Sequence, residues 1–511
     1  MKQLIEKYIK SKAALFVLMA GVITVFDGCK LEPVVYSNSA TDKYYSNESE
    51  ANLGLNGVYN MYWNIYKPGY WHNMNDYATG LAVNNGPSAT PYSAWDFAVD
   101  GQDELLMWSS IYNAINRANT LMDGLSKSTL ISDEVKKKIT GQALFLRALG
   151  YFELVKLWGG IPLHLNGTSS LDDVNLPRSS EEEVYKQIED DLKAAANALD
   201  PFNSSDHQNG RITSLACLSV LADVYAQQGK WNESANTAKS VIDAGRFQLL
   251  PDFHDIYRPN PSLNNEEIFS VVKTHQAGDV DATNKEVRWF VPSQTTLPDG
   301  TSIAFYAPPY AGPNSQVVPE FFNSTPNTYR KYWTMRKEMP YYYVLGNYND
   351  LHNTTVSLPQ PMYVKLMYVD LANGFLDRGI NIIVYRFAYL KLLYAEALNE
   401  ANSGPTAEAY SAINEIRRRA RAVGTPNKQP ESVLPDLAGL NQNEFRDSVL
   451  VEFKREFANE NKYRAILLRH NRLVSDAIER GVSGVAEYKK YFAIPSDELA
   501  RNPNLTQNPG Y

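Results

Sequence analysis

The 511-residue sequence predicts a mainly α-helical fold, in which tetratricopeptide-like helix hairpins form a scaffold and long, loop-rich insertions with few short strands build one face. Three observations lead there. Apolar residues recur at helical spacing in Glu50–Met61, Glu104–Ser126, Asp133–Trp158, Arg386–Asn402 and Thr406–Arg421. A two-helix pattern occurs twice, as Leu221–Asp243 (LADVYAQQGKWNESANTAKSVID) and Leu393–Arg417 (LYAEALNEANSGPTAEAYSAINEIR). Elsewhere, Tyr62–Gln102 and Phe247–Tyr385 lose the helical period and fill with Asn, Gly, Pro, Tyr and Trp.

At the N-terminus, Lys2, Lys7, Lys10 and Lys12 precede the apolar run Ala13–Phe26, and Gly28 stands before Cys29. This is the pattern of a secretion signal, and the run is too short to span a bilayer. Cys29 follows it directly and reads as the lipid-modified first residue of a bacterial lipoprotein, although Phe26 and Asp27 depart from the Leu and small residue usual there. We therefore expect a signal at 1–28, a lipidated polar tether at 29–49 and one domain at 50–511. Loss of the signal, with its four lysines and two acidic residues, takes the net charge from −8 to −10. An acidic surface argues against a nucleic-acid partner. Cys217 is the only other cysteine, so no internal disulfide is expected in the mature chain, and its apolar helix suggests a buried, inert thiol.

Along the domain, the first insertion, 62–102, is too rich in large rings to read as disordered. The scaffold follows over 104–245. Asp133–Trp158 sets Leu144, Ala148, Tyr151, Phe152 and Val155 on one face and stops at Gly159–Gly160, with Pro162 beyond. Ser179 and Ser180 before Glu181, Glu182 and Glu183 mark a capped helix start, the carboxylates complementing its positive end. The repeated hairpin carries small residues where paired helices meet, the logic of tetratricopeptide units, in an array interrupted by the second insertion, 247–385. There Glu267–Lys273 and Met362–Tyr368 are expected as strands and most of the remainder as loop. The scaffold resumes over 386–480, with Asn443–Arg480 helical, and an extended tail, 491–511, closes the chain because its Pro and Asn residues cannot continue a helix.

Five segments, in order, resemble the SusD/RagB family of Bacteroidetes outer-membrane lipoproteins: Trp108–Leu121, Gly141–Leu163, Pro177–Ala195, Gly210–Ile242, and the C-terminal block Tyr385–Arg421 with Ile494–Tyr511 (IPSDEL, NPNLTQNPGY). One block departs from the family pattern, with Phe453, Tyr463 and Ile466 where charged residues are usual, so a local ion-pair network is expected to be lost. The resemblance implies an α-helical scaffold, a glycan or other nutrient captured at the cell surface, and a SusC-like TonB-dependent transporter on which the lipoprotein sits as a lid. Localisation would be the outer membrane, through the lipid on Cys29.

A sugar site needs flat rings beside groups that hydrogen-bond hydroxyls. The first insertion offers Trp71, Asn75, Asp76, Asn84, Asn85, Tyr92 and Trp95; the second offers Trp289, Tyr306 and Tyr310. Trp95 is the leading candidate platform, the competing role being an anchor that holds its loop to the core. No catalytic residues are expected: the seven histidines form no HExxH pair, and neither a GxSxG elbow nor a phosphate loop is present. No cofactor is expected either. Asp279, Asp281 and Asn284 could hold a calcium ion, but their spacing misses the EF-hand pattern and a solvated turn explains them better. Two other readings stay open: a helical-repeat protein that binds peptides, and, ranked last, a glycosidase with two facing carboxylates.

Overall fold

The computed structural model describes residues 45–66, 69–83, 90–97, 99–168, 173–202, 204–258, 262–272, 294–296, 302–304, 316–340, 355–366, 368–370, 375–377 and 380–511. Its long helices are α1 (Glu48–Tyr66), α2 (Gln102–Lys127), α3 (Asp133–Trp158), α4 (Glu181–Ala198), α5 (Ser214–Gln227), α6 (Trp231–Asp243), α7 (Phe387–Ala401), α8 (Ala407–Ala420) and α9 (Gln442–Glu456), followed by the shorter α10 (Tyr463–Arg469) and α11 (Leu473–Glu479). Each of α1 to α8 packs on the next, α9 packs on α7, and the run passes without a gap from α6 to α7 across the second insertion. The array interrupted in sequence is thus continuous in space. Ala222, Ala226, Ala238, Ala395, Ala397 and Ala409 are fully buried, and the Ser234 hydroxyl donates to the Ala222 carbonyl at 2.8 Å, so α5 and α6 approach closely.

The helix starts follow local chemistry. Ser180 with Glu183, and Asn441 with Glu444, form reciprocal capping boxes. Ser132, Thr213 and Thr406 each accept a backbone N–H from the first turn of their helices, contributing about 1 kcal/mol apiece. Asn443–Arg480, expected as one helical block, is broken twice. Asn459 (φ 67°), Asn461 (φ 60°) and Asn471 (φ 53°) adopt left-handed backbone and turn the chain between α9, α10 and α11, a conformation asparagine tolerates better than most residues.

The second insertion, expected to be mostly loop, carries more strand than its periodicity suggests. Glu267–Val271 pairs antiparallel with Ile382–Arg386, so the segment leaves and rejoins the scaffold at one place. The expected strand at Met362–Tyr368 instead ends at Tyr363, closing the strand Thr355–Tyr363, and Tyr368–Asp370 pairs separately with Phe375–Asp377. A four-stranded sheet runs in the order Ala82–Val83, Gln316–Val317, Thr355–Tyr363, Met335–Pro340, with Ala82 opposite Val317. The two insertions therefore share one sheet. Strands of two to nine residues with distant partners show too little alternation to be read from one segment.

A buried ion network fastens these parts together. Glu456 accepts from Arg330 (2.8 Å), Arg386 (2.7 Å) and Arg419; Glu452 accepts from Arg330 (2.6 Å) and Arg417 (2.9 Å). Glu266 binds Arg386 and Arg419, while Glu460 binds Arg386, Lys365 and the Tyr257 hydroxyl. Burial pushes the Glu456 carboxyl upward, but Arg419, Arg386 and Arg330 outweigh it and hold it well below the usual carboxylate range. Glu456→Gln is expected to destabilise the protein by about 3–5 kcal/mol because it removes the one carboxylate that Arg330, Arg386 and Arg419 share, leaving the buried site with excess positive charge. Arg418→Gln, at the half-exposed pair with Asp436, should cost under about 1 kcal/mol; urea denaturation of both variants measures the contrast.

Candidate functional site

The first insertion folds back onto the C-terminal half as short turns. Trp71 and Asn75 lie in and just after the helix Tyr70–Met74, the Asn75 amide donating to the Trp71 carbonyl at 2.9 Å. The Trp71 ring stands edge-on to Tyr66 at 5.1 Å. It borders two small cavities, of about 10 and 30 Å³ as open to the centre of a water molecule, which share Trp71, Asn461 and Lys462. These hold a water or two and exclude a sugar ring.

Asp76 follows directly and is 1% exposed. Its two carboxylate oxygens are buried without a hydrogen-bond partner among the described residues, near the backbone N–H groups of Asn459 and Asn461 in their left-handed turn. Burial pushes this carboxyl up to about 7, against the opposing pull of those N–H groups and Lys365. Glu104, which accepts from the Tyr92 hydroxyl at 2.9 Å, is likewise raised by burial to about 7. Tyr92 itself is buried among Phe97 and Phe492.

Trp95 is 1% exposed. Its Nε1 donates to the Ala78 carbonyl at 2.9 Å, the oxygen that also accepts from Arg480 at 3.0 Å. The Lys489 ammonium donates to the Trp95 carbonyl at 2.7 Å, and the Trp95 backbone is left-handed (φ 57°), a strained state for a bulky residue. A Cβ on Gly484 would stand 2.5 Å from the Ala94 carbonyl oxygen, so only a glycine admits this approach. In this structure Trp95 anchors its loop. The structure thus brings Trp71, Asn75, Asp76, Tyr92 and Trp95 into one packed layer; Asn84, Asn85, Trp289, Tyr306 and Tyr310 lie outside the described residues, as do Asp279, Asp281 and Asn284.

Sequence reasoning passed over the short helix Tyr329–Thr334, which holds an exposed ring, Tyr332. The Arg336 guanidinium lies 3.6 Å from the Tyr332 ring centre and its Nε donates to the Tyr332 carbonyl at 2.7 Å. Trp333 meets Tyr332 edge-on at 5.2 Å and stacks on His254 at 3.6 Å. The signal available was a Tyr-Trp pair followed by Arg one turn later, which periodicity alone does not rank above other aromatic pairs. Cys217, as expected, is fully buried, and burial pushes its thiol far up, leaving it inert. Among the described residues no helix is long and apolar enough to cross a membrane.

A continuous stack of helix hairpins carrying two insertions that share a sheet defines a helical-repeat scaffold protein. Comparison makes this specific. The sequence matches the family described as "Starch-binding associating with outer membrane" over residues 88–226 and the SusD family over residues 301–511. SusD-like protein P25 of Formosa agariphila is 25% identical, with 92% of this chain and 93% of the relative covered. A second SusD-like protein of that organism is 28% identical over 79% of this chain and 80% of its own length. A SusD superfamily structure from Parabacteroides distasonis superposes with a TM-score of 0.76 at 22% identity, covering 91% of this chain and 99% of its own. A laminarin-binding SusD-like protein gives 0.71 at 23% identity, covering 91% and 100%. Both family matches and both Formosa agariphila relatives are of the SusD kind, so the chain is SusD-like.

Two outcomes follow from the packed layer. Trp95→Ala is expected to lower stability by about 3–5 kcal/mol, read as a shift of the urea midpoint, because it empties a buried site and removes the indole hydrogen bond to the Ala78 carbonyl. Asp76 has the opposite pH signature to a paired carboxylate. Its folded value, about 7, lies above the ordinary 3.8, so the folded state binds the extra proton between these values and stability rises as pH falls from 7 toward 4. Asp76→Asn should remove that gain, flattening the pH dependence by roughly 1–3 kcal/mol across the window in denaturation at pH 5 and pH 8.

Proposed function

We propose that the protein is a non-catalytic, cell-surface glycan-binding lipoprotein that captures oligosaccharide or polysaccharide and delivers it to a SusC-like TonB-dependent outer-membrane transporter. The observation that carries this reading is the match to SusD families over residues 88–226 and 301–511, on a scaffold whose two aromatic insertions meet in one sheet. The laminarin-binding relative supports a glycan as the ligand class. In this reading, residues 1–28 direct export, Cys29 carries the lipid, and residues 30–49 tether the single domain to the outer membrane. Several acyl chains are needed there, because one chain holds a protein only reversibly.

We assign the ligand-facing role to Asn84, Asn85, Trp289, Tyr306 and Tyr310, with Trp71, Asn75, Asp76, Tyr92 and Trp95 forming the layer that fixes the first insertion. A rigid layer of this kind lowers the entropy lost when a glycan binds. Isothermal titration against laminarin, starch and pectin tests the reading. Saturable binding without change in the polysaccharide after prolonged incubation is expected; released oligosaccharides would overturn the non-catalytic assignment, and competition by peptides but not glycans would replace the ligand class. Trp289→Ala is expected to weaken binding by about 1–2 kcal/mol in the same titration. Cys29→Ala should move the protein from the membrane to the soluble fraction on cell fractionation.

A further inference from the structure

We infer that Tyr332 is a sugar-stacking subsite, separate from the residues of the two insertions assigned above; this inference rests on the glycan-capture reading. The chain has 33 Tyr, 19 Phe and 8 Trp, yet among the described residues the exposed large rings are Tyr332 and Tyr488, at 51% and 38%. Tyr488 is committed to the tail: Tyr511 stands edge-on at 4.9 Å and Gly510 packs against its ring. Among the described residues the ring contacts of Tyr332 are with Trp333 and Arg336, and they leave it half exposed.

The ring is held still. Arg336 grips it twice, through the carbonyl of the same residue and through the ring face, while Trp333 supports its edge. Trp333 is itself backed by His254 on one side and lies 4.7 Å from the Arg336 guanidinium. The helix beneath is anchored at both ends of its turn. Thr328 caps it by accepting from the Lys331 N–H at 3.1 Å, and the Tyr329 hydroxyl donates to Asp252. Arg330 enters the buried ion network through Glu452 and Glu456. Two residues on along a helix, a side chain points about 200° away, so an Arg330 driven into the core obliges Tyr332 to face solvent.

An exposed tyrosine of ordinary surface kind is free to rotate and needs no such clamp. Here a flat apolar face is fixed in direction, and the exposed polar residues Lys337 and Glu338 follow it in the chain on the strand Met335–Pro340. That combination suits one pyranose ring: its C–H face stacks on the tyrosine and its edge hydroxyls meet polar side chains.

The full-length protein is titrated with laminarin, starch and pectin by calorimetry, as wild type, Tyr332→Ala and Tyr332→Trp. For whichever polysaccharide binds the wild type, Tyr332→Ala is expected to weaken affinity about tenfold, Tyr332→Trp to retain it, and the thermal midpoint to stay unchanged in both. Equal affinity of Tyr332→Ala and wild type overturns the subsite while leaving glycan capture standing. Binding by none of the polysaccharides to the wild type overturns glycan capture and the subsite with it. Loss of affinity in Tyr332→Trp as well as Tyr332→Ala also overturns the stacking role, since a larger flat ring should serve.

Discussion

Arg386 with Glu456 is the contact on which the architecture depends. Arg386 ends the strand Ile382–Arg386 and caps the start of α7, where the second insertion rejoins the scaffold. Around the pair gather Glu266 from the insertion's first edge, Arg330 from its middle, Lys365 from the end of its long strand, Arg417 and Arg419 from α8, and Glu452 and Glu460 from α9 and the turn after it. Five cations face four carboxylates with side chains no more than 8% exposed. Removing so many charges from water opposes folding, and apolar replacements could pack as stably. What the network adds is a unique arrangement: a slipped strand or a shifted helix would leave a charge unpaired in the interior. Because the folded values of Glu456 and Glu460 lie below the ordinary carboxylate value, this contribution is present above about pH 4.5 and is lost as pH falls through the folded values.

The same network shows where the sequence was legible. Helices, caps and their C-terminal glycines depend on neighbours within a few residues, so α3 and the capping box at Ser180 could be read directly. Arg330, Arg386 and Arg419 looked like any surface cations, since what buries them comes from residues up to 153 positions away. Phe453, Tyr463 and Ile466 were expected to cost the C-terminal block its ion pairs. Instead Phe453 is fully buried against Tyr389 and Phe457, with the Arg469 guanidinium 5.4 Å from its ring, and the pairs run through Glu452 and Glu456 on the same helix. A charge lost at one position of α9 left its buried neighbours on the same side, Glu452 and Glu456, charged.

The aromatic surplus is the harder lesson. Tyr and Trp suit both cores and sugar platforms, and composition does not separate the two uses. Trp95 satisfied every criterion for a platform, a large ring in a polar, irregular stretch, and the structure gives it an anchor's contacts on the Ala78 carbonyl and Lys489. Direction decides the use, and direction is set by what fixes the backbone beneath the ring. At Trp95 a left-handed backbone held by Lys489 and the glycine at 484 turns the indole inward; at Tyr332 a buried arginine two residues earlier turns the phenol outward.

The tail, expected to be extended throughout, turns one short helix at Ser496–Arg501, which starts directly after Pro495 and ends before Asn502; the rest is irregular, and its backbone would be unsatisfied without partners. Phe492 N–H donates to the Leu157 carbonyl and Trp158 Nε1 donates to the Ala493 carbonyl, joining the tail to the last turn of α3. Asn508 donates to the carbonyls of Trp158 and Phe492 and accepts from Arg178, while Gln507 and Ile494 exchange hydrogen bonds across the tail's own loop. Phe492 also meets Phe97 at 4.8 Å and Tyr92 at 6.2 Å. The segment with the most recognisable sequence therefore does more than close the scaffold: it forms part of the floor beneath the first insertion. Its Pro- and Asn-rich composition follows from that position, because a strap must present side-chain amides to carbonyls that a helix end leaves open.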